Sequence, residues 1–284
     1  MAETGRLLKT GVSFPRDVSP LLVEIEVGLL TGFQDRPYAY GLAMALVSKG
    51  VCLDIIGSDE VDSPEFHWTP NLKFLNLARK RESNPRPATR LLKLFICYAR
   101  LLCYAAAAKT KIFHILWNNR IEYFDRTLLM LYFKALGKKV VITAHNVNQG
   151  RRDSNDSLLN RLTLKIQYRL CDHIFVHTRK MKSEICEDFG IRAENVTVLR
   201  HPINNAFPDT DVTPAEAKRR LGLGLCDKPI LFFGRIRPYK GLEYLLDAFQ
   251  LVSARDSSYR LIIAGESKKG SGTYFDEIQQ TISR

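Results

Sequence analysis

VVITAHNVNQGRRDSNDSLLNRLTLKIQYRLCDHIFVHTRKMKSEICEDFGIRAENVTVL, residues 140–199, decides the fold. Its short apolar runs VVITA (140–144), HIFVHT (173–178) and VTVL (196–199) have the length and β-branched content of strands buried on both faces. Between them lie two segments of helical period, 158–170 and 180–189, the second ended by Gly190. Strand, helix, strand, helix, strand in this order predicts a parallel sheet covered on both faces.

Working outward towards the N-terminus, the alternation continues. Strands are predicted at 21–30, 51–56, 72–77 and 112–117, and helices at 37–49, 88–109 and 125–136. A basic turn, RKRESNPRP, precedes the long helix. Towards the C-terminus, residues 201–227 read as a connector. It contains a helix start at Thr213, Pro214 and Glu216: a cap, a proline at the first helical position and an acid three residues after the cap. A second domain opens with PILFFG (229–234), a helix from Lys240 to Ala254 and the strand YRLIIAG (259–265). Two strands are few for a doubly wound domain, so this half is expected to be partial and to expose apolar surface along an open edge.

The chain of 284 residues carries 42 Lys and Arg against 30 Asp and Glu, a net charge of +12 that favours an anionic partner. The six cysteines show neither Cys-x-x-Cys pairing nor zinc spacing, so neither a metal site nor a disulfide framework is expected. With no secretory signal pattern at the start, a cytoplasmic home is the simplest expectation. The apolar run 91–108 is broken by Lys93 and Arg100, too polar to span a bilayer and suited to a mostly buried helix or to lying on a membrane. No nucleic-acid module accompanies the Arg and Lys at 79–90, so nucleic acid is not an expected partner.

Chemistry is most concentrated in FFGRIRPYKGLEYLLDAF, 232–249, where a strand runs into a tight loop with Gly234, Arg235 and Lys240 before a helix. Ligands of open α/β sheets sit beyond the carboxyl ends of the strands, and Arg and Lys suit a diphosphate there. Spacing alone leaves the two equally readable as solvated loop cations. His145 follows VVITA at the same kind of edge, and on its own also reads as a locally bonded turn histidine, with Asn146 helping the turn. Asn118, Asn119 and Arg120 follow a predicted strand and are candidates for lining a substrate cleft or for plain polar loop. His173 and His177, four apart on HIFVHT, read as structural; metal ligation would need a third ligand, and none is marked. Leu221-Gly222-Leu223-Gly224 lacks the strand-before, helix-after context of a dinucleotide fingerprint.

The segment 232–249, together with VVITAHNVN, CDHIFVHT and VTVLRHPINNAF in the same order, resembles the retaining glycosyltransferases of the GT-B fold, family four, also called glycosyltransferase group 1. The resemblance covers roughly 20–284. It implies an α/β, GT-B-like architecture: a complete N-terminal Rossmann-like, acceptor-side domain over 1–200, a connector over 201–227, and the first part of a nucleotide-sugar-binding domain over 228–284. It further implies transfer of a sugar from a nucleotide sugar to a glycan or lipid-linked acceptor with retained configuration, without bound metal or other cofactor, at the inner face of the membrane. By the same resemblance Arg235 and Lys240 contact the donor diphosphate, His145 lies beside the transferred sugar, and Gly32, Asn118, Arg120, Asn146 and Gly234 belong to the cleft. The sequence departs from the family at Thr31-Gly32-Phe33-Gln34, where a glycine-rich loop is usual, and at His201-Pro202, where a glycine turn is usual. It also lacks a late pair of glutamates whose spacing Glu266 and Glu277 do not reproduce. An inactive short form acting as a binding or regulatory subunit is the alternative expectation.

Overall fold

The computed structural model of the protein describes residues 25–78, 87–153, 155–202, 210–267 and 272–283. The chain divides into two compact units, Met1–Phe207 and Pro208–Arg284.

In the first unit the alternation read from the sequence runs β1 (Glu26–Leu30), α1 (Arg36–Ser48), β2 (Cys52–Ser58), β3 (Leu72–Ala78), α2 (Pro87–Ala107) and β4 (Ile112–Ile115). It continues with α3 (Glu122–Arg126), α4 (Leu128–Ala135), β5 (Lys139–Ala144), α5 (Gln149–Arg152), α6 (Leu158–Leu170), β6 (His173–Val176), α7 (Arg179–Phe189) and β7 (Val196–Val198). The seven strands form one sheet in the order β3-β2-β1-β4-β5-β6-β7, every pair parallel. Chain direction across the sheet reverses between β1 and β4, the switch point at which open α/β sheets hold ligands.

Alternate residues of β1 to β4 feed two cores, as the pleat requires, while the buried apolar residues of β5 to β7 feed one of them. Val27, Leu29, Leu53 and Ile55 pack with Ala39 and Ala43 of α1 on one face. Leu30, Phe113, Val140, Ile142, Ile174 and Val176 pack with Tyr98, Met130, Phe133 and Leu164 on the other. Phe113 and Phe133 are fully buried with rings 5.0 Å apart edge to face, and burial of a side chain of this size stabilises by about 1.5–3 kcal/mol. Ser157 and Thr178 cap α6 and α7 by accepting from the backbone N–H of Asn160 and Met181.

The second unit begins with α8 (Pro214–Arg220), capped by Thr213 with Pro214 in the first turn, as its sequence predicts. It continues with β8 (Lys228–Phe233), α9 (Leu242–Arg255), β9 (Tyr259–Ala264) and α10 (Gly272–Ser283). The two strands are parallel, and Leu242 and Leu246 of α9 join Ile278 of α10 and Ile236 in a small core. Leu231 and Phe233 point away from that core, 61% and 80% exposed, which is the uncovered apolar face expected of a two-stranded sheet.

Four expectations change in detail. The helix predicted over 125–136 is two helices, because Thr127 leaves helical geometry at φ −121° and ψ −87°. The strand predicted over 173–178 ends at Val176, which releases His177 from the sheet. The helix predicted from Lys240 begins at Leu242, after a single 3-10 turn over Pro238–Lys240. The strand predicted over 21–30 is seen from Glu26. Leu21–Glu24, most of the basic turn at 79–86, and 203–207 of VTVLRHPINNAF lie outside the described residues.

Candidate active site

The carboxyl ends of β4 to β7 bring a cluster of rings together. Trp117 follows β4, His145 follows β5 directly, His177 follows β6 directly, and His201 lies shortly after β7. The His145 ring is stacked on Trp117, with centroids 4.0 Å apart and planes within 6°. Tyr38 of α1 meets His145 edge-on at 4.6 Å and His177 at 5.7 Å, and His201 lies 4.8 Å from His177. Below them Thr143 bonds both the Tyr38 hydroxyl and Nε2 of His114.

Hydrogen bonds in series set the protonation of this cluster. His177 Nδ1 lies 2.9 Å from the Leu199 carbonyl, which can only accept, so Nδ1 carries the proton. The neutral His177 ring therefore offers a bare Nε2, which lies 3.0 Å from Nδ1 of His145 and receives its N–H. Nε2 of His145 is then an acceptor, buried and without a hydrogen-bond partner among the described residues. Both rings stay neutral near pH 7: burial first, then the neighbouring His177, His201 and His114, pushes His145 down to about 3, and burial lowers His177. A buried acceptor left unpaired costs about 1–3 kcal/mol, which makes this nitrogen a costly feature of the cluster.

The same three histidines are the residues that could hold a metal. One nitrogen from each of His145, His177 and His201 lies within 4.8 Å of the others. The remaining nitrogens of His177 and His201 lie against the carbonyls of Leu199 and Pro202, the outer support that metal-bound histidines use. His177, expected to be structural, bonds His145 and stands with His201 in this group, whereas its predicted strand companion His173 bonds Thr197 and takes no part in it.

Gly32, at φ +59°, packs against the chain after β4: a Cβ there would stand 2.5 Å from the Trp117 carbonyl oxygen. Phe33 and Asp35 also have positive φ, so the loop at the switch point is strained as well as tightly seated. Asn118 exchanges amide hydrogen bonds with buried Gln167, at 2.6 and 3.4 Å, which engages it inside the protein. Asn146 accepts from Arg152 at 3.1 Å, while Arg120 is exposed and lines a groove beside α2.

In the second unit the loop after β8 is tied to the loop after β9. Gly234, at φ +126°, donates to Ala264, and Ile236 donates to Glu266. Gly265, which the sequence did not single out, has no room for a side chain: a Cβ would stand 1.9 Å from the Gly234 carbonyl oxygen. Arg235 and Lys240 are exposed, and neither forms an ion pair with a carboxylate among the described residues. Lys240 Nζ lies 5.8 Å from the Tyr239 ring centroid. Glu243, in the first turn of α9, accepts from the Tyr274 hydroxyl, so that carboxylate is engaged away from the two cations. All six cysteines are free thiols, and among the described residues no helix is long and apolar enough to cross a membrane.

Comparison with known proteins matches both units. Residues 37–207 match the family described as Glycosyltransferase Family 4, and residues 215–283 the one described as Glycosyl transferases group 1. An uncharacterised glycosyltransferase of Methanocaldococcus jannaschii is 28% identical over 239 residues, covering 79% of this chain and 57% of that protein. The mannosylfructose-phosphate synthase of Agrobacterium fabrum is 29% identical over 119 residues, 41% of this chain and 25% of that protein. The chain thus spans little more than half the length of these curated relatives at most. Among solved structures, Anabaena HepE in complex with UDP and glucose superposes with a TM-score of 0.63 at 15% identity, over 90% of this chain and 66% of that one. The sucrose-phosphate synthase of Thermosynechococcus elongatus gives 0.65 at 14% identity, over 91% and 68%. These likenesses establish the shared GT-B fold. With its first-unit match alone spanning more than half of its length, the chain belongs to glycosyltransferase family 4.

Proposed function

We propose that this protein transfers a sugar from a nucleotide-sugar donor to a lipid-linked or polysaccharide acceptor, with retention of configuration, at the cytoplasmic face of a membrane. The observation that carries this reading is the loop after β8, where Arg235 and Lys240 stand exposed and unpaired with carboxylates among the described residues, inside the segment that matches group 1. Departure of a nucleoside diphosphate concentrates negative charge, and fixed cations aimed at it lower the barrier. Arg235 offers a planar fork to phosphate oxygens and Lys240 a compact charge. His145 serves as a hydrogen-bond acceptor for a sugar hydroxyl, through the bare Nε2 that its bond to His177 leaves. Transfer by this route uses no metal.

Because Anabaena HepE was solved with UDP and with UDP-glucose, uridine nucleotides are the first donors to test. Radiolabelled UDP-sugars offered with lipid-linked and glycan acceptors should yield labelled product in the presence of EDTA, and NMR of the product should show the donor's anomeric configuration. Titration with UDP separates the alternatives. Binding without transfer to any acceptor would favour the non-catalytic subunit, and absence of both would reject the reading.

A further inference from the structure

Beside the histidine cluster, an open groove of about 490 Å³ runs along the same edge of the first unit's sheet. Its floor and walls come from the ends of four adjacent strands and from α2: Phe33 after β1, Ser58 at the end of β2, Leu77 and Ala78 at the end of β3, and Asn119 and Arg120 after β4. Two short segments join the groove to the cluster. The loop after β4 carries Trp117, stacked on His145, and three residues later Arg120, which lines the groove. The loop after β1 carries Phe33, which lines the groove, and leads to Tyr38, which touches His145.

The chemistry of the groove is mixed in a particular way. Leu91, Leu94 and Ile96 give it an aliphatic wall, and Leu91 is 69% exposed although it sits in the first turns of a helix whose later turns bury Cys97, Tyr98, Leu101 and Ala105. Arg90, Arg100 and Arg120 line the same groove, and none forms an ion pair with a carboxylate among the described residues. Burial raises the pKa of the Cys97 thiol, and the charges of Arg120 and Arg100, which line the same groove, act to lower it. Asp59 and Glu60 also line the groove, so cations outnumber carboxylates there even with Lys93 set aside. Guanidinia without carboxylate partners fit phosphate oxygens, and the aliphatic wall is of no use to a free anion.

We infer that this groove binds an acceptor whose phosphate is carried on an aliphatic chain, with Arg100 and Arg120 on the phosphate and Leu91, Leu94 and Ile96 on the chain. It rests on the proposed transferase reading only in calling the ligand the acceptor; the binding itself is independent of turnover. The same chemistry is presented by a single lipid phosphate, by inorganic phosphate and by the headgroups of an anionic bilayer, and the test separates them.

The probe is decyl phosphate, titrated into the whole chain by calorimetry below its micelle concentration, beside inorganic phosphate, decanol and phosphatidylglycerol vesicles. Decyl phosphate should bind at least about tenfold more tightly than inorganic phosphate or decanol. The double variant R100A/R120A should lose about tenfold or more, and L91S a smaller factor with inorganic phosphate unaffected. All three positions are exposed, and an unchanged melting temperature confirms that the variants fold. Equal binding by wild type and R100A/R120A overturns the proposal, as does equal affinity for inorganic phosphate, or binding to vesicles with none to monomeric decyl phosphate. Titration with UDP in parallel keeps the two readings apart. UDP binding without decyl phosphate binding sinks this inference alone, and the reverse leaves it standing while the donor reading fails.

Discussion

The cluster around His145 and the loop around Arg235 both sit beyond the carboxyl ends of parallel strands, yet they are built on opposite physical terms. The first is neutral, half-buried and held by rings: stacking on Trp117, an edge contact with Tyr38, and a hydrogen bond passed from Leu199 through His177. The second is charged, exposed and held by backbone, with Gly234 and Gly265 in contact and the cations reaching into solvent. A neutral acceptor needs exact orientation and gains from exclusion of water, whereas a cation in water keeps its reach but is screened until a ligand covers it. The difference suits an orienting role for one region and charge neutralisation for the other.

Charge neutralisation carries the larger expected effect. Replacing Arg235 by Ala should lower the transfer rate by about 100-fold to 1,000-fold, the range seen when one well-aimed donor is lost from an oxyanion site. Lys240→Ala should do the same to a lesser degree, and both should weaken UDP binding, with the wild-type affinity itself falling as salt rises. Steady-state kinetics and calorimetry at low and high salt check this. A rate within twofold of wild type for both variants would remove the donor role from the loop.

His145→Ala should cost less, about tenfold in transfer rate, because one neutral hydrogen bond is lost and not a charge. UDP affinity should stay within twofold, since the residue and the cationic loop belong to different units. The comparison breaks if His145→Ala weakens UDP binding as strongly as Arg235→Ala does.

The two regions were also unequally legible in the sequence. The strands of the first unit announce themselves as short apolar runs, and their order of alternation gives a parallel sheet without further help. Arg235 and Lys240 stand in a contiguous motif, so a local reading finds them. The histidine cluster is assembled from four loops far apart in sequence, and only His145 was legible there, by its position after VVITA. His177 was hidden by reading HIFVHT as strand throughout: alternation places His173 and His177 on one face, but β6 ends at Val176 and the period of two stops with it. The usable signal was positional, a histidine directly after each of two neighbouring strands. Trp117 falls in a predicted strand that in the structure ends at Ile115, and His201 stands out in the sequence only as a departure from a glycine turn. The tight seat of Gly265 depends on a loop contact that no local pattern encodes.

The smallest expected effect is also the sharpest test of how the histidine cluster works. His177→Phe removes the acceptor for His145 Nδ1 while keeping a ring in place, and His177→Gln restores an acceptor near the position of Nε2. The Phe variant should let the His145 proton move to Nε2, visible as an exchange of the two imidazole nitrogen-15 shifts, and should lower the transfer rate by at most about tenfold, with the Gln variant recovering much of it. In the wild type the lone pair should stay available under mild acid, because the folded pKa of about 3 lies far below that of a free imidazole. The sign follows from proton binding. Between the unfolded value near 6.5 and the folded value the unfolded chain binds more protons, so this group's contribution to stability is full above the upper value and is lost as pH falls through the window. Transfer should therefore show no inflection from His145 near pH 6.5, while the melting temperature falls with acidification below it. An inflection there that vanishes in His145→Ala would mean the ring is solvated and protonated in the working enzyme, and that the neutral relay from Leu199 does not hold.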